Sequence, residues 1–188
     1  MMLLPSTNTN TGQTQTSGIK PAENTNSSQT TNAKTVVHNN AEKEAFRALY
    51  DMQVVVRTGV SFRDYGGYLI KCKQDFDAAK RSAAGNTVTP FWIEAEAAIS
   101  DYEFTSTAWE WKFSGDGVEE IIRDNDQLGQ MRARLILTYY PDHQFLWMEP
   151  RQNYDGSIRP GYWFTSIDSV LQSSWEAASI HIQRVESL

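Results

Sequence analysis

The chain has a single cysteine, Cys72, so it can form neither an intramolecular disulfide nor a cysteine-ligated zinc site. It has no run of about 18 apolar residues, the length a helix needs to cross a bilayer. Histidine is scarce: His38, His143 and His181 are the whole set. None of them follows Glu or Asp by three residues and no two are four apart, which removes the ligand spacings of di-iron bundles and zinc hydrolases. A haem would need a recognisable axial ligand set, and none is present. Gly-x-Ser-x-Gly, P-loop and Gly-x-Gly-x-x-Gly patterns are also missing, so no catalytic residue, metal or cofactor is assigned. An excess of positive charge is lacking too. The net charge of −6 argues against nucleic acid as a partner, since phosphate binding needs a basic face.

Aromatic residues are missing from residues 1–40, which hold 23 Asn, Thr, Ser and Gln. Such a stretch cannot bury enough apolar surface to offset chain entropy, and it is expected to be a disordered tether. Met1-Met2-Leu3-Leu4-Pro5 is too short and uncharged for a signal peptide, so the chain as written reads as cytoplasmic. A start lying upstream would move it to the periplasm or cell envelope. All 22 aromatics fall after residue 40, in a segment long enough for one domain over 41–188.

Four helices are expected there. The first runs from about Ala41 to Thr58, capped by Asn39 or Asn40 and stopped by Gly59. The second opens at Ser61 with Asp64 three residues on, and Phe62, Tyr65, Leu69, Cys72, Phe76 and Ala79 recur at the helical period. So short a connection predicts an antiparallel pair. Gly66-Gly67 within it implies either a close backbone or a bend. Thr89-Pro90 starts the third helix, with Phe91, Ala95, Ala98, Tyr102, Thr105 and Trp109 as its stripe. It should end near Phe113, before Ser114-Gly115-Asp116-Gly117. The last helix spans Phe164 to Val185. The expected fold is therefore all-α, a four-helix antiparallel body with an aromatic-rich insertion at about 114–163. Within the insertion, Val118–Arg123 and Leu128–Tyr139 read as helical pieces. Gln144–Met148 reads as a short strand or an extended run and Asn153-Tyr154-Asp155-Gly156 as a turn, a combination that can make a short hairpin.

The junction Gly59-Val60-Ser61-Phe62-Arg63-Asp64-Tyr65 and the later Ala98, Tyr102, Thr105, Ala108 and Trp109 carry a resemblance. Over roughly residues 41–112 the chain resembles a group of uncharacterised, mostly exported bacterial α-helical proteins. The resemblance implies a helical fold and an extracytoplasmic location, and it brings no activity with it.

Two aromatic groups are candidates for function. Eight of the rings lie in the 26 residues from Tyr139 to Phe164. Loops that carry rigid aromatics beside polar groups suit partner contact, which singles out Trp147, Tyr154 and Trp163 as anchors with Arg151 and Arg159 as orienting groups. The expected function is a non-catalytic binding or protein-interaction module. The alternative is a small-molecule carrier or enzyme with an interhelical pocket around Tyr65, Tyr102 and Trp109, where phenols could orient a ligand. Burial of both groups as packing is the competing structural outcome. The sequence sets no oligomeric state.

Overall fold

The computed structural model describes residues 39–83, 85, 87–113, 120–123 and 127–188. The expectations for the tail before Asn39 and for the Ser114–Gly117 stop lie outside these residues. The described chain is mostly helical, with a few short antiparallel strands.

Helix α1 (Asn40–Thr58) begins at a complete capping box. The Glu42 N–H donates to Asn39 Oδ1 at 2.9 Å and the Asn39 N–H to Glu42 Oε2 at 3.1 Å. Two otherwise orphaned amides are thereby satisfied. The helix stops at Gly59, whose φ of +86° is a conformation that favours glycine. Helix α2 (Phe62–Ser82) starts at once, with Ser61 accepting from the Asp64 N–H and donating to Asp64 Oδ2. Tyr65, Leu69, Cys72, Phe76 and Ala79 are its buried stripe, as their spacing requires. A Cβ at Gly66 or Gly67 would meet nothing within 4 Å, so no backbone packs closely there.

Helix α3 (Pro90–Phe113) is buried on several sides, from Phe91 and Trp92 to Ala108 and Trp109. Burial over so broad a face, with Ile93, Glu96, Glu103 and Glu110 left exposed, marks a central helix. It packs most extensively on helix α5 (Ile167–Ser187), while α1 packs most on α2. These helices share one core, in which fully buried Trp92 meets Phe76 and Phe91 edge-on at 5.7 and 5.1 Å. The chain between α3 and α5 holds β1 (Glu120–Ile122), helix α4 (Gln127–Tyr139), β2 (Leu146–Met148), β3 (Arg151–Gln152), β4 (Ile158–Arg159) and β5 (Tyr162–Ser166). Strands β1, β5 and β2 form one antiparallel sheet with β5 in the centre, and β3 pairs with β4.

Two local expectations are corrected. Within Val118–Arg123 the described residues form strand β1, not a helix, because Ile121 and its neighbours bond to β5 across the sheet. Six residues are too few to nucleate a helix alone, and β-branched isoleucines suit a ladder. The last helix begins at Ile167 instead of Phe164. Residues 162–166 are the central strand, bonded on both edges, and Ser166 then caps α5 by accepting from the Ser169 N–H at 3.1 Å. Helix α4 lies where Leu128–Tyr139 reads as a helical piece of the insertion, and with it the described chain has five helices.

Candidate functional site

The central sheet carries its core-facing side beyond the body. Strand residues alternate between faces, and the register pairs Ile121 with Thr165 and Trp147 with Trp163. These four therefore share one face. Ile121 and Thr165 are only 1% and 2% exposed, whereas Trp147 and Trp163 are 45% and 40% exposed. The helices cover the face at its inner end and stop short of the two indoles, which meet each other at 5.4 Å.

Beyond them the chain forms an arm. The pairing of Trp147 with Trp163 and of Arg151 with Arg159 belongs to one register, since each step along one strand matches one step back on the other. The same register puts Pro150 opposite Pro160. Proline has no N–H to give a ladder, so facing prolines divide one ribbon into the two short sheets observed. The ribbon turns at Tyr154-Asp155-Gly156, closed by hydrogen bonds from Asn153 N–H to Ser157 O and from Gly156 N–H to Asn153 O. Gly156 has φ +84°, as a three-residue hairpin loop with a glycine bulge demands. Every residue from Arg151 to Pro160 is exposed.

Two details shape the arm's surface. The Trp147 ring lies over Gly161: a Cβ there would sit 2.7 Å from Trp147 Cη2 and 2.9 Å from the Met148 carbonyl oxygen. Glycine is needed because an indole occupies the place of its side chain. Arg151 and Arg159 stand directly opposite each other, an arrangement of like charges that destabilises a strand pair. Among the described residues neither has a carboxylate partner, and the Arg159 guanidinium lies 4.9 Å from the Tyr162 ring centre.

Trp163 also borders a cleft of about 370 Å³ whose walls include Arg123, Pro141, His143 and Phe145. The Arg123 N–H donates to the Trp163 carbonyl at 2.8 Å, which ties the arm's base to β1. The two ring nitrogens of His143 are within hydrogen-bond distance of Ser173 Oγ at 3.2 Å and Thr165 Oγ1 at 2.9 Å. Burial lowers the His143 pKa below the ordinary imidazole value.

The alternative trio is brought together deep in the core. Tyr65, Tyr102 and Trp109 are all buried. The Tyr65 hydroxyl donates to the Tyr102 carbonyl at 2.9 Å, and its ring meets Trp109 edge-on at 4.9 Å. Trp175 meets Trp109 edge-on at 5.5 Å. Burial raises the pKa of both phenols, so both stay neutral. Cys72 is buried nearby and donates to the Ala48 carbonyl; burial pushes its thiol up to about 12.

A polar cluster not singled out from the sequence links α3, α5 and the arm's root. The Tyr140 hydroxyl donates to Asp101 Oδ1 at 3.0 Å, while His181 stands between Glu94 Oε2 at 2.6 Å and Asp101 Oδ2 at 3.8 Å. Burial raises the Asp101 pKa, whereas hydrogen bonding from His181 lowers that of Glu94. Among the described residues no group of three or more ligating side chains is arranged to hold a metal ion.

Of the interaction residues expected from sequence, Trp147 and Trp163 touch. Arg151 and Arg159 are register partners, and Tyr154 occupies the turn at the tip, fully exposed. The ribbon also exposes Leu146 and Ile158 and places Gly161 beneath the indole, none of which residue type alone singles out. The turn could have found them: residues equidistant from Asp155 pair with each other. Compared with family models, curated proteins and solved structures, the chain matches none.

Proposed function

We propose that the chain is a non-catalytic protein-interaction module that presents the arm of residues 146–163 as its contact surface. Helices α1, α2, α3 and α5 act as a four-helix scaffold in this reading, and α4 with β1 fixes the arm's base. The observation that carries it is the sheet face that is buried at Ile121 and Thr165 yet open at Trp147 and Trp163. Exposed indoles cost solvation without contributing much to the core, and paired aromatics of this kind supply binding hot spots once a partner covers them. The arm is also thin. All its residues from 151 to 160 are exposed, so its shape serves reach better than packing.

The test is W147A/W163A in the full chain, compared with wild type in affinity capture from cells of the source and in thermal melts. Loss of captured partners with a melting temperature within about 2 °C of wild type supports the reading, since a change of 1 kcal/mol moves a domain of this size by about 2–4 °C. A large loss of stability with an unchanged set of partners refutes it.

A further inference from the structure

Resting on the reading of the arm as the contact surface, we infer that its partner is a second copy of this chain, joined to the first by antiparallel pairing of the two β2 strands. The main chain of β2 is turned outward at its centre. The Arg123 N–H donates to the Trp163 carbonyl, so Trp163 directs its main-chain groups toward β1. Trp147 and Trp163 are then a non-hydrogen-bonded pair, and the N–H and C=O of Trp147 point away from β5. No strand among the described residues lies on that side. Open edges are normally blunted by charge, because bare ones recruit further strands. Among the described strands with an open edge, β1 carries Glu120, β3 Arg151 and β4 Arg159, whereas β2 is Leu146-Trp147-Met148 with no charge.

This edge is complementary to itself. Pairing about a two-fold axis at Trp147 lets that residue exchange both main-chain hydrogen bonds with Trp147 of the second copy. Leu146, exposed on the opposite face, then lies across from Met148 of the second copy, and Met148 across from its Leu146. Glu149 falls opposite Phe145, so no like charges meet. On the indole face the rings form one row of four, Trp163 and Trp147 followed by Trp147 and Trp163 of the second copy. Charge favours the same place. The chain has a net charge of −6, yet Glu149, Arg151, Asp155 and Arg159 cancel over residues 146–163, so two copies meet where neither carries an excess. The contact is small. The exposed parts of the indoles bring roughly 350 Å² to a pair of copies, against about 1,200–2,000 Å² for a stable complex. The dimer is therefore reversible, with a Kd no tighter than about micromolar.

The experiment is sedimentation velocity of the full chain over about three decades of concentration upward from micromolar, with amide exchange read at both ends. A monomer–dimer equilibrium is expected, and the Trp147 amide should exchange about tenfold more slowly at the top of the series than at the bottom. L146K puts a charge on the open edge at an exposed position and should raise the Kd about tenfold or more. W147A/W163A should raise it about thirtyfold or more. Register is read by oxidising a mixture of L146C and M148C chains, with Cys72 buried out of reach. In the proposed pairing these positions lie about 4.5 Å apart at Cα, within disulfide range, so the mixture should cross-link and either chain alone far less. A chain that stays monomeric throughout, while W147A/W163A still loses partners captured from cells, overturns the second copy and leaves the contact surface standing. A monomer whose captured partners W147A/W163A does not change overturns both. A dimer that neither L146K nor W147A/W163A weakens, or one with no slowing at Trp147, overturns the strand pairing.

Discussion

Replacing Gly161 with alanine should unravel the arm and leave the helices intact. The new Cβ would lie 2.7 Å from Trp147 Cη2, where the indole can swing away, and 2.9 Å from the Met148 carbonyl oxygen, where the backbone cannot yield cheaply. Overpacking of this kind costs about 1–3 kcal/mol. Displacing the Trp147 ring also weakens its contact with Trp163, worth about 0.5–1.5 kcal/mol for an aromatic pair. A two-stranded ribbon is marginal on its own, so a penalty of this size exceeds what holds the tip together. The core contributes no compensating contacts, because residues 151–160 are exposed throughout.

Amide hydrogen exchange separates the two levels. In G161A the Asn153 and Gly156 amides, which close the hairpin, should lose protection, while amides of α3 and α5 keep theirs. The Trp–Trp exciton signal in circular dichroism should shrink as the indoles part. Global melting should move by less than about 2 °C, since the arm's loss is local. Unchanged protection at Asn153 would show that the indole does not depend on Gly161. A drop in protection throughout α3 and α5 would show that the arm is part of the cooperative core, and the separation drawn between them would fail.

Three further outcomes follow from the body. Gly67→Ala, exposed in α2 with nothing near its added Cβ, should stabilise the chain by about 0.5–1 kcal/mol in urea melts, and a loss of stability would contradict the open environment. Cys72 should resist a thiol reagent at pH 8 in the native protein and react at once in denaturant, because burial holds its pKa up to about 12; rapid native labelling would refute that. His143 has its pKa lowered by burial, so below the ordinary imidazole value near 6.5 the unfolded chain takes up a proton that the folded one declines. Stability from this group is therefore present above about pH 6.5 and falls as the pH drops toward the lower folded value. Denaturant midpoints for wild type and H143Q should diverge over that interval, and parallel curves would remove the effect.

The helices were legible because their signals are local. Asn39 with Glu42, Ser61 with Asp64, and Thr89 before Pro90 lie within a few residues of the ends they mark. The apolar steps of α2 then name its buried stripe without reference to any partner. Strand β1 was not legible for the opposite reason. Its stretch of sequence also suits a helix, and what makes it a strand is Thr165 and its neighbours, far along the chain. The start of α5 was misplaced by the same cause, since Phe164 fits the helical pattern until pairing on both edges claims it for β5. At the site, residue types were readable while their partnerships were not. The spacing of Trp147 and Trp163 acquires meaning only once the turn at Asp155 is taken as the centre of a ribbon.

That ribbon changes what the aromatic excess means. Eight rings between Tyr139 and Phe164 read as one patch in the sequence, yet they divide by contact. Tyr139 and Tyr140 pack on Phe104 of the central helix at 4.7 and 5.2 Å, and Phe145 is packed against the core. These rings hold the arm's root. Trp147 and Trp163 come later on the ribbon, past the point where the helices cover it, and Tyr154 is at the tip. Ring density therefore does not separate the exposed rings from the packed ones. What distinguishes the two exposed indoles is that they pair across a ribbon over a glycine, on a face whose inner end is core and whose outer end is open. A protein that needed only to seal its helices could have ended the sheet at Thr165. The additional residues, with facing prolines and facing arginines, add length and charge where they add little stability, which is what the proposed contact role requires.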